Sequence, residues 1–161
     1  MEKKIFSPLL LGSVFIISAC SEPNNSPTNK QPQSKVTSLP TSKATRWYNQ
    51  QQVNAGEKNY QIHCASCHKP DASGTTPWDQ ADANGKYPPP PLDGSAHTWH
   101  HHLKGLRRTV RMGGAVMGGS MPGFANKLSS QEIDEVLAWV QSHWSDKIYA
   151  SWKVRDDQAK K

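Results

Sequence analysis

"YQIHCASCHKP", residues 60–70, places Cys64 and Cys67 three apart with His68 directly after the second thiol. Three chemistries use such a group. A structural zinc site needs four ligands, usually from two matched clusters; only two cysteines are available here, and the histidines elsewhere form no second knuckle. A thioredoxin-like dithiol expects alternating strands and helices around the motif, and that pattern is absent. Haem attachment uses all three residues. On a helical turn, thiols at i and i+3 face the same way and can bond both vinyl groups along one porphyrin side. The next residue can then offer its imidazole to the iron, and C-x-x-C-H in an exported chain is a specific signal.

Outward from the motif, the chain reads as helices joined by loops. "VNAGEKNYQIHC" suggests a helix starting at an Asn54 cap with Glu57 three residues on, and Val53, Gly56, Tyr60 and Cys64 on one side. A second helix is expected over His100–Met112, with Leu103, Leu106 and Val110 on one face and cations toward its C-terminal end. Gly113 and Gly114 stop it. The third has a Ser129/Glu132 capping box and a stripe of Ile133, Val136, Leu137, Val140 and Trp144. A short last helix is expected over about Asp146–Gln158. Residues 69–99 are loop-like, and no stretch alternates as a strand. A loop of that length in a compact domain suggests that it wraps a ligand.

At the N-terminus, "MEKK" followed by a short apolar stretch reads as a secretory signal over residues 1–19. Its end, "ISAC", resembles the lipobox of bacterial lipoproteins, which implies lipidation of Cys20; the alternative is an ordinary cleaved signal with a stray cysteine. Residues 20–45, rich in Ser, Thr, Pro, Asn, Gln and Lys, cannot bury enough apolar surface to order themselves and read as a tether. With Cys20 lipidated, Cys64 and Cys67 remain as a local pair and no structural disulfide is needed. The main domain is expected over 46–145, with a C-terminal helix or tail at 146–161. A net charge of +6, with basic residues dispersed among acids, indicates no nucleic-acid partner.

The stretches "AGEKNYQIHCASCH", "PPPPLDG" and "MPGF", with the amphipathic helix near the C-terminus, resemble the class I c-type cytochromes over roughly Asn54 to Trp144. The resemblance implies an all-α fold, a small helical bundle wrapped around one covalently attached haem c, and electron transfer rather than substrate chemistry. The macrocycle would supply apolar bulk that a 35% apolar composition lacks. In the family a Pro-x-Leu-x-Gly segment holds the axial histidine through its proline carbonyl. That implies Pro90 as acceptor for His68, with Leu92 packed on the haem, although four consecutive prolines leave the register open. Gly56, Tyr60 and Trp139 resemble the family's helix-crossing contact, in which a glycine admits an aromatic from the last helix.

Met112, Met117, Met121 and the histidines are candidates for the sixth iron position. Met121 is favoured because Pro122 biases it toward extended backbone, the neighbouring glycines allow close passage beside a flat ring, and the family places its axial methionine between these helices. Met117 is the main rival. A thioether opposite His68 would raise the potential and leave the iron saturated, which argues for transfer. His97, His100, His101 and His102 raise a metal site, but adjacent residues on a helix diverge; contacts to haem propionates are the plainer expectation. Arg107, Arg108 and Arg111 form either a docking patch for an acidic partner or a solvated helix face. The resulting expectation is an exported, lipid-anchored monohaem cytochrome on the periplasmic or cell-surface side, carrying electrons between membrane-associated redox partners. A haem enzyme with an open iron site, or a metal or redox sensor built on the histidine turn, are the alternatives.

Overall fold

The computed structural model describes residues 45–161. The expected signal at 1–19, the lipidation candidate Cys20 and the tether through residue 44 lie outside the described residues. The remainder is all-α: among the described residues the only β pairing is an isolated bridge between Tyr87 and Gly119. Five α-helices run in the order α1 Gln50–His63, α2 Ala65–His68, α3 Leu103–Met112, α4 Ser130–Ser142 and α5 Asp146–Gln158.

Helix α1 begins earlier than its sequence suggests. Asn49, not Asn54, is the cap, accepting from the Gln52 backbone N–H while the Gln52 side chain accepts from the Asn49 N–H. The two boxes have the same spacing, and tertiary packing selects the first: Trp47 and Tyr48, just before the cap, pack against the core. Asn54 then lies inside the helix, with its side chain accepting from Gln50 one turn back. Helix α3 also starts later than expected. Residues 98–100 form a 3-10 turn, and His102 caps α3 by accepting from the Gly105 N–H through Nδ1.

Helix α4 has the expected Ser129/Glu132 box, and every residue of its expected stripe is buried. It crosses α1 at Gly56, where an added Cβ would fall 1.8 Å from the Glu135 carbonyl oxygen. The glycine therefore admits the α4 backbone itself. The aromatic contact lies one turn along, where Tyr60 and Trp139 pack with ring centroids 4.0 Å apart. The Tyr60 hydroxyl donates to the Lys69 carbonyl at 2.9 Å, tying α1 to the turn after α2.

Helix α5 occupies the expected range and belongs to the packed body. Tyr149 and Trp152 are fully buried. Arg46 lies over the Tyr149 ring and pairs with Asp146, while Trp152 Nε1 donates to the His101 carbonyl. Asp156, also buried, accepts from the Leu103 N–H, one of the donors that the start of α3 leaves without a helical partner. The effect is to seat the histidine turn against α5.

Candidate functional site

A cavity of about 690 Å³ opens among α1–α4 and the two long loops, within the size range of cofactor sites. Leu106 and Val110 of α3 and Val136, Leu137 and Val140 of α4 give it an apolar wall. Cys64, Cys67, His68, Pro90, Leu92 and Met121 all line it, so the structure gathers in one place residues that span 58 positions of sequence.

Cys64 closes α1 and starts the single turn of α2; the Cys67 and His68 N–H groups both donate back to its carbonyl. That turn sets both thiols toward the same cavity. Cys64 is buried and Cys67 exposed, and both are free. Burial, with Cys67 beside it, pushes the Cys64 thiol up to about 11. A dithiol oxidoreductase needs a lowered thiol pKa, so the environment disfavours that chemistry. Among the described residues no three His, Cys, Asp or Glu side chains converge on a metal-ion site.

His68 is buried, and its Nδ1 lies 2.9 Å from the Pro90 carbonyl oxygen. A carbonyl can only accept, so Nδ1 carries the proton and Nε2 keeps its lone pair. Burial lowers the His68 pKa, and the bond to Pro90 opposes that shift. The proline run suits this job, since prolines offer carbonyls while requiring no partner for an N–H. Its neighbours hold it in register. The Thr75 N–H donates to Pro89, Leu92 N–H to Ala72, Thr98 Oγ1 to Pro91 and Trp144 Nε1 to Leu92.

Gly74 closes the turn from the other side. It has φ +59, its N–H donates to the His68 carbonyl, and an added Cβ would lie 2.4 Å from the Pro90 carbonyl carbon. Neither Gly74, Thr98 nor Trp144 stands out in sequence; Trp144 is recognisable only as part of the α4 stripe.

Of the methionines, Met121 is partly buried against the core, Met117 is 55% exposed and Met112 71% exposed. The Gly114 N–H donates to the Met121 carbonyl and the Phe124 N–H to Val110, which pins the Met121 loop to the end of α3. Met117 also lines the cavity, from a 3-10 turn.

The histidine turn separates into individual roles. His102 is the α3 cap, and His100 lies exposed beside Trp99. His97 and His101 line the cavity, with Trp78 stacked on His97. Trp78 has no signal in sequence, because its loop has no periodicity to place it. The arginines separate as well: Arg107 forms a two-pronged ion pair with Asp134 and Arg111 donates to Ser130, while Arg108 is exposed.

Residues 51–140 match the family described as cytochrome c oxidase, cbb3-type, subunit III. The alcohol dehydrogenase (quinone), cytochrome c subunit, of Gluconobacter oxydans (strain 621H) is 30% identical over 114 residues. That alignment covers 66% of this chain and 22% of the relative, so the chain spans less than a quarter of the curated protein it matches. No solved structure matches the chain.

Proposed function

The chain belongs to the class I c-type cytochromes, in the family of cbb3-type oxidase subunit III, a family of haem c proteins that act in electron transfer, and from that premise we propose that it is a monohaem single-electron carrier. Haem, when bound, supplies the one-electron couple of its iron. Cys64 and Cys67 would hold it covalently. His68 through Nε2 and Met121 through its thioether are the side chains that would ligate its iron. The bond to Pro90 fixes the His68 tautomer and ring direction, as partners of metal-bound imidazoles do. Leu92 and the α3 and α4 side chains exclude water around the site. With both ligands supplied by the chain itself, the iron would be suited to electron transfer rather than to binding a substrate.

The observation that carries this reading is the buried His68–Pro90 hydrogen bond, in a cavity that both cysteines and Met121 also line. The similarity to a cytochrome c subunit of a quinone alcohol dehydrogenase supports dehydrogenases or oxidases as the partners. Export, with a lipid on Cys20 holding the carrier at a membrane, completes the proposal and rests on the "ISAC" stretch.

Optical spectra of the purified holoprotein test it, with pyridine haemochrome to count covalent haem. The expected result is one haem c per chain and a methionine-to-iron charge-transfer band in the oxidised state. That band is lost in Met121→Ala and kept in Met117→Ala. A high-spin or bis-histidine spectrum that Met121→Ala leaves unchanged would sink the ligand assignment and favour an open-site enzyme. The anchor is tested separately by cell fractionation: the wild type is expected with membranes and Cys20→Ser in the soluble exported fraction. Equal partition of the two removes the anchor from the proposal.

A further inference from the structure

Four successive carbonyls of the proline segment each receive a donor from elsewhere. The Thr75 N–H donates to Pro89, His68 Nδ1 to Pro90, Thr98 Oγ1 to Pro91 and Trp144 Nε1 to Leu92. Residues 88–91 are prolines and have no N–H of their own. The segment is therefore placed by what donates to it, and the Pro90 carbonyl sits where the other three donors leave it. Thr75 and Thr98 belong to the same long loop as the prolines and can move with it, as can Ala72, which accepts from the Leu92 N–H. Trp144 belongs to a different part of the fold. It stands at the corner between α4 and α5, and its indole is the donor that ties these carbonyls to the helical frame.

The corner holds that indole still. Trp144 is 2% exposed, and its Nε1 lies 2.8 Å from the Leu92 carbonyl oxygen. Its ring packs edge-on to Trp152, with centroids 5.9 Å apart. Gly94, at φ +96, brings the loop so close that an added Cβ would fall 3.1 Å from the indole Cδ1. The Trp144 backbone carbonyl accepts from Arg46, which also donates to the Gln141 carbonyl and pairs with Asp146. Residues 51–140 carry the family match, so Trp144 and the whole of α5 lie beyond it.

We propose that Trp144 is a positioning residue for His68: by holding Leu92 it fixes the Pro90 carbonyl against His68 Nδ1, and so sets the basicity of His68 Nε2. This rests on the preceding reading, in which His68 ligates the iron. A firm bond from Nδ1–H to a carbonyl makes the imidazole a stronger donor to a metal. A stronger donor favours ferric iron, and hydrogen bonding around a ligand is one of the levers on the potential. Leu92 is two residues from Pro90, and the φ of the intervening Pro91 is fixed by its ring, so a displacement at Leu92 is passed on rather than absorbed. Without the indole N–H, the Leu92 carbonyl loses its tie to the frame and the proline segment follows the loop. The Pro90 bond to His68 then weakens.

The test is Trp144→Phe in the holoprotein, which keeps an aromatic ring and removes the donor, with Trp47→Phe as control. Trp47 Nε1 donates to the buried Gln141 side chain near the same corner, not to the proline segment. Two quantities are read: the midpoint potential, by spectroelectrochemistry, and the solvent exchange of the His68 Nδ1 proton, by NMR of the reduced protein. Trp144→Phe is expected to keep covalent haem, to raise the potential and to exchange that proton faster. The rise is expected to reach at most about a tenfold change in the oxidised-to-reduced ratio, or ~59 mV for one electron. Trp47→Phe is expected to lower the denaturant midpoint and to leave potential and exchange at their wild-type values. A Trp144→Phe protein that is less stable but keeps the wild-type potential and exchange overturns the proposal and leaves the carrier reading intact. An equal shift in Trp47→Phe does the same, because loosening of the corner alone would then account for it. Absence of covalent haem from the wild type overturns both readings. If Trp144→Phe fails to fold, benzothienylalanine at position 144, which replaces the N–H by sulfur and keeps the bicyclic shape, decides between the same outcomes.

Discussion

At the scale of single residues, the candidate site depends on a contact between two backbones as much as on the side chains proposed as ligands. The Pro90 carbonyl reaches His68 only because Gly74 leaves room behind it, at a φ of +59 where side chains are disfavoured. Gly74→Ala is therefore expected to cost about 1–2 kcal/mol for the left-handed backbone, and about 1–3 kcal/mol more for forcing a methyl against the Pro90–Pro91 peptide. Gly85→Ala is the matched control. It has φ +72 and nothing within 4 Å of its added Cβ, so only the first cost applies. Denaturant unfolding of the two holoproteins would measure the difference, and the reduction potential would report whether the His68 bond has shifted. Equal destabilisation, with both potentials unchanged, would show that Gly74 has no steric part in holding Pro90.

At the scale of elements, legibility follows how local the determining interactions are. Helix α4 is readable because its cap, its first-turn acid and its buried stripe lie within sixteen residues and agree. Helix α1 is readable as a helix but not at its start. Asn49/Gln52 and Asn54/Glu57 offer the same box, and the choice is made by Trp47 and Tyr48 against partners about a hundred positions away, including Tyr149. Cys64, Cys67, His68 and Met121 are readable as candidates because the proposed haem attachment would constrain their type and spacing, and the fold brings all four to one cavity. Trp78 and Gly74 are not, because a loop that encloses a cavity has no period, and its register is set by bonds to distant elements. The histidine turn falls between these cases. Its composition is conspicuous, but only the fold separates His102 the cap from His97 the unpartnered ring.

At the scale of the whole molecule, the segment before α1, the turn after α2 and helix α5 are held together through the half-buried Tyr48 and the buried Tyr60 and Tyr149, which makes the fold's stability sensitive to alkali. Burial pushes the Tyr48 phenol up to about 12 against the opposing pull of Arg46, and it raises Tyr60 and Tyr149 as well. Lys160 is raised by its bond to Asp156, in the same direction. Below pH 10 these phenols are protonated in both folded and unfolded chains, so their contribution is complete. Between pH 10 and about 12 the unfolded chain releases protons that the folded chain retains. The folded state then binds more protons, and stability falls as pH rises. The Tyr60 hydroxyl is the donor that ties α1 to the Lys69 carbonyl, one residue past His68, so its ionisation removes a restraint on the site as well as on the fold. Denaturant midpoints measured across this window are expected to decline, with Tyr48→Phe declining less steeply than the wild type; in a Tyr87→Phe background, which removes the one exposed tyrosine among the described residues, phenolate absorbance is expected to appear only as the chain unfolds. Phenolate formation near pH 10 in that background with the fold intact would show that the packed hydroxyls are not protected, and that the clasp between Trp47, Tyr48 and α5 is looser than its hydrogen bonds imply.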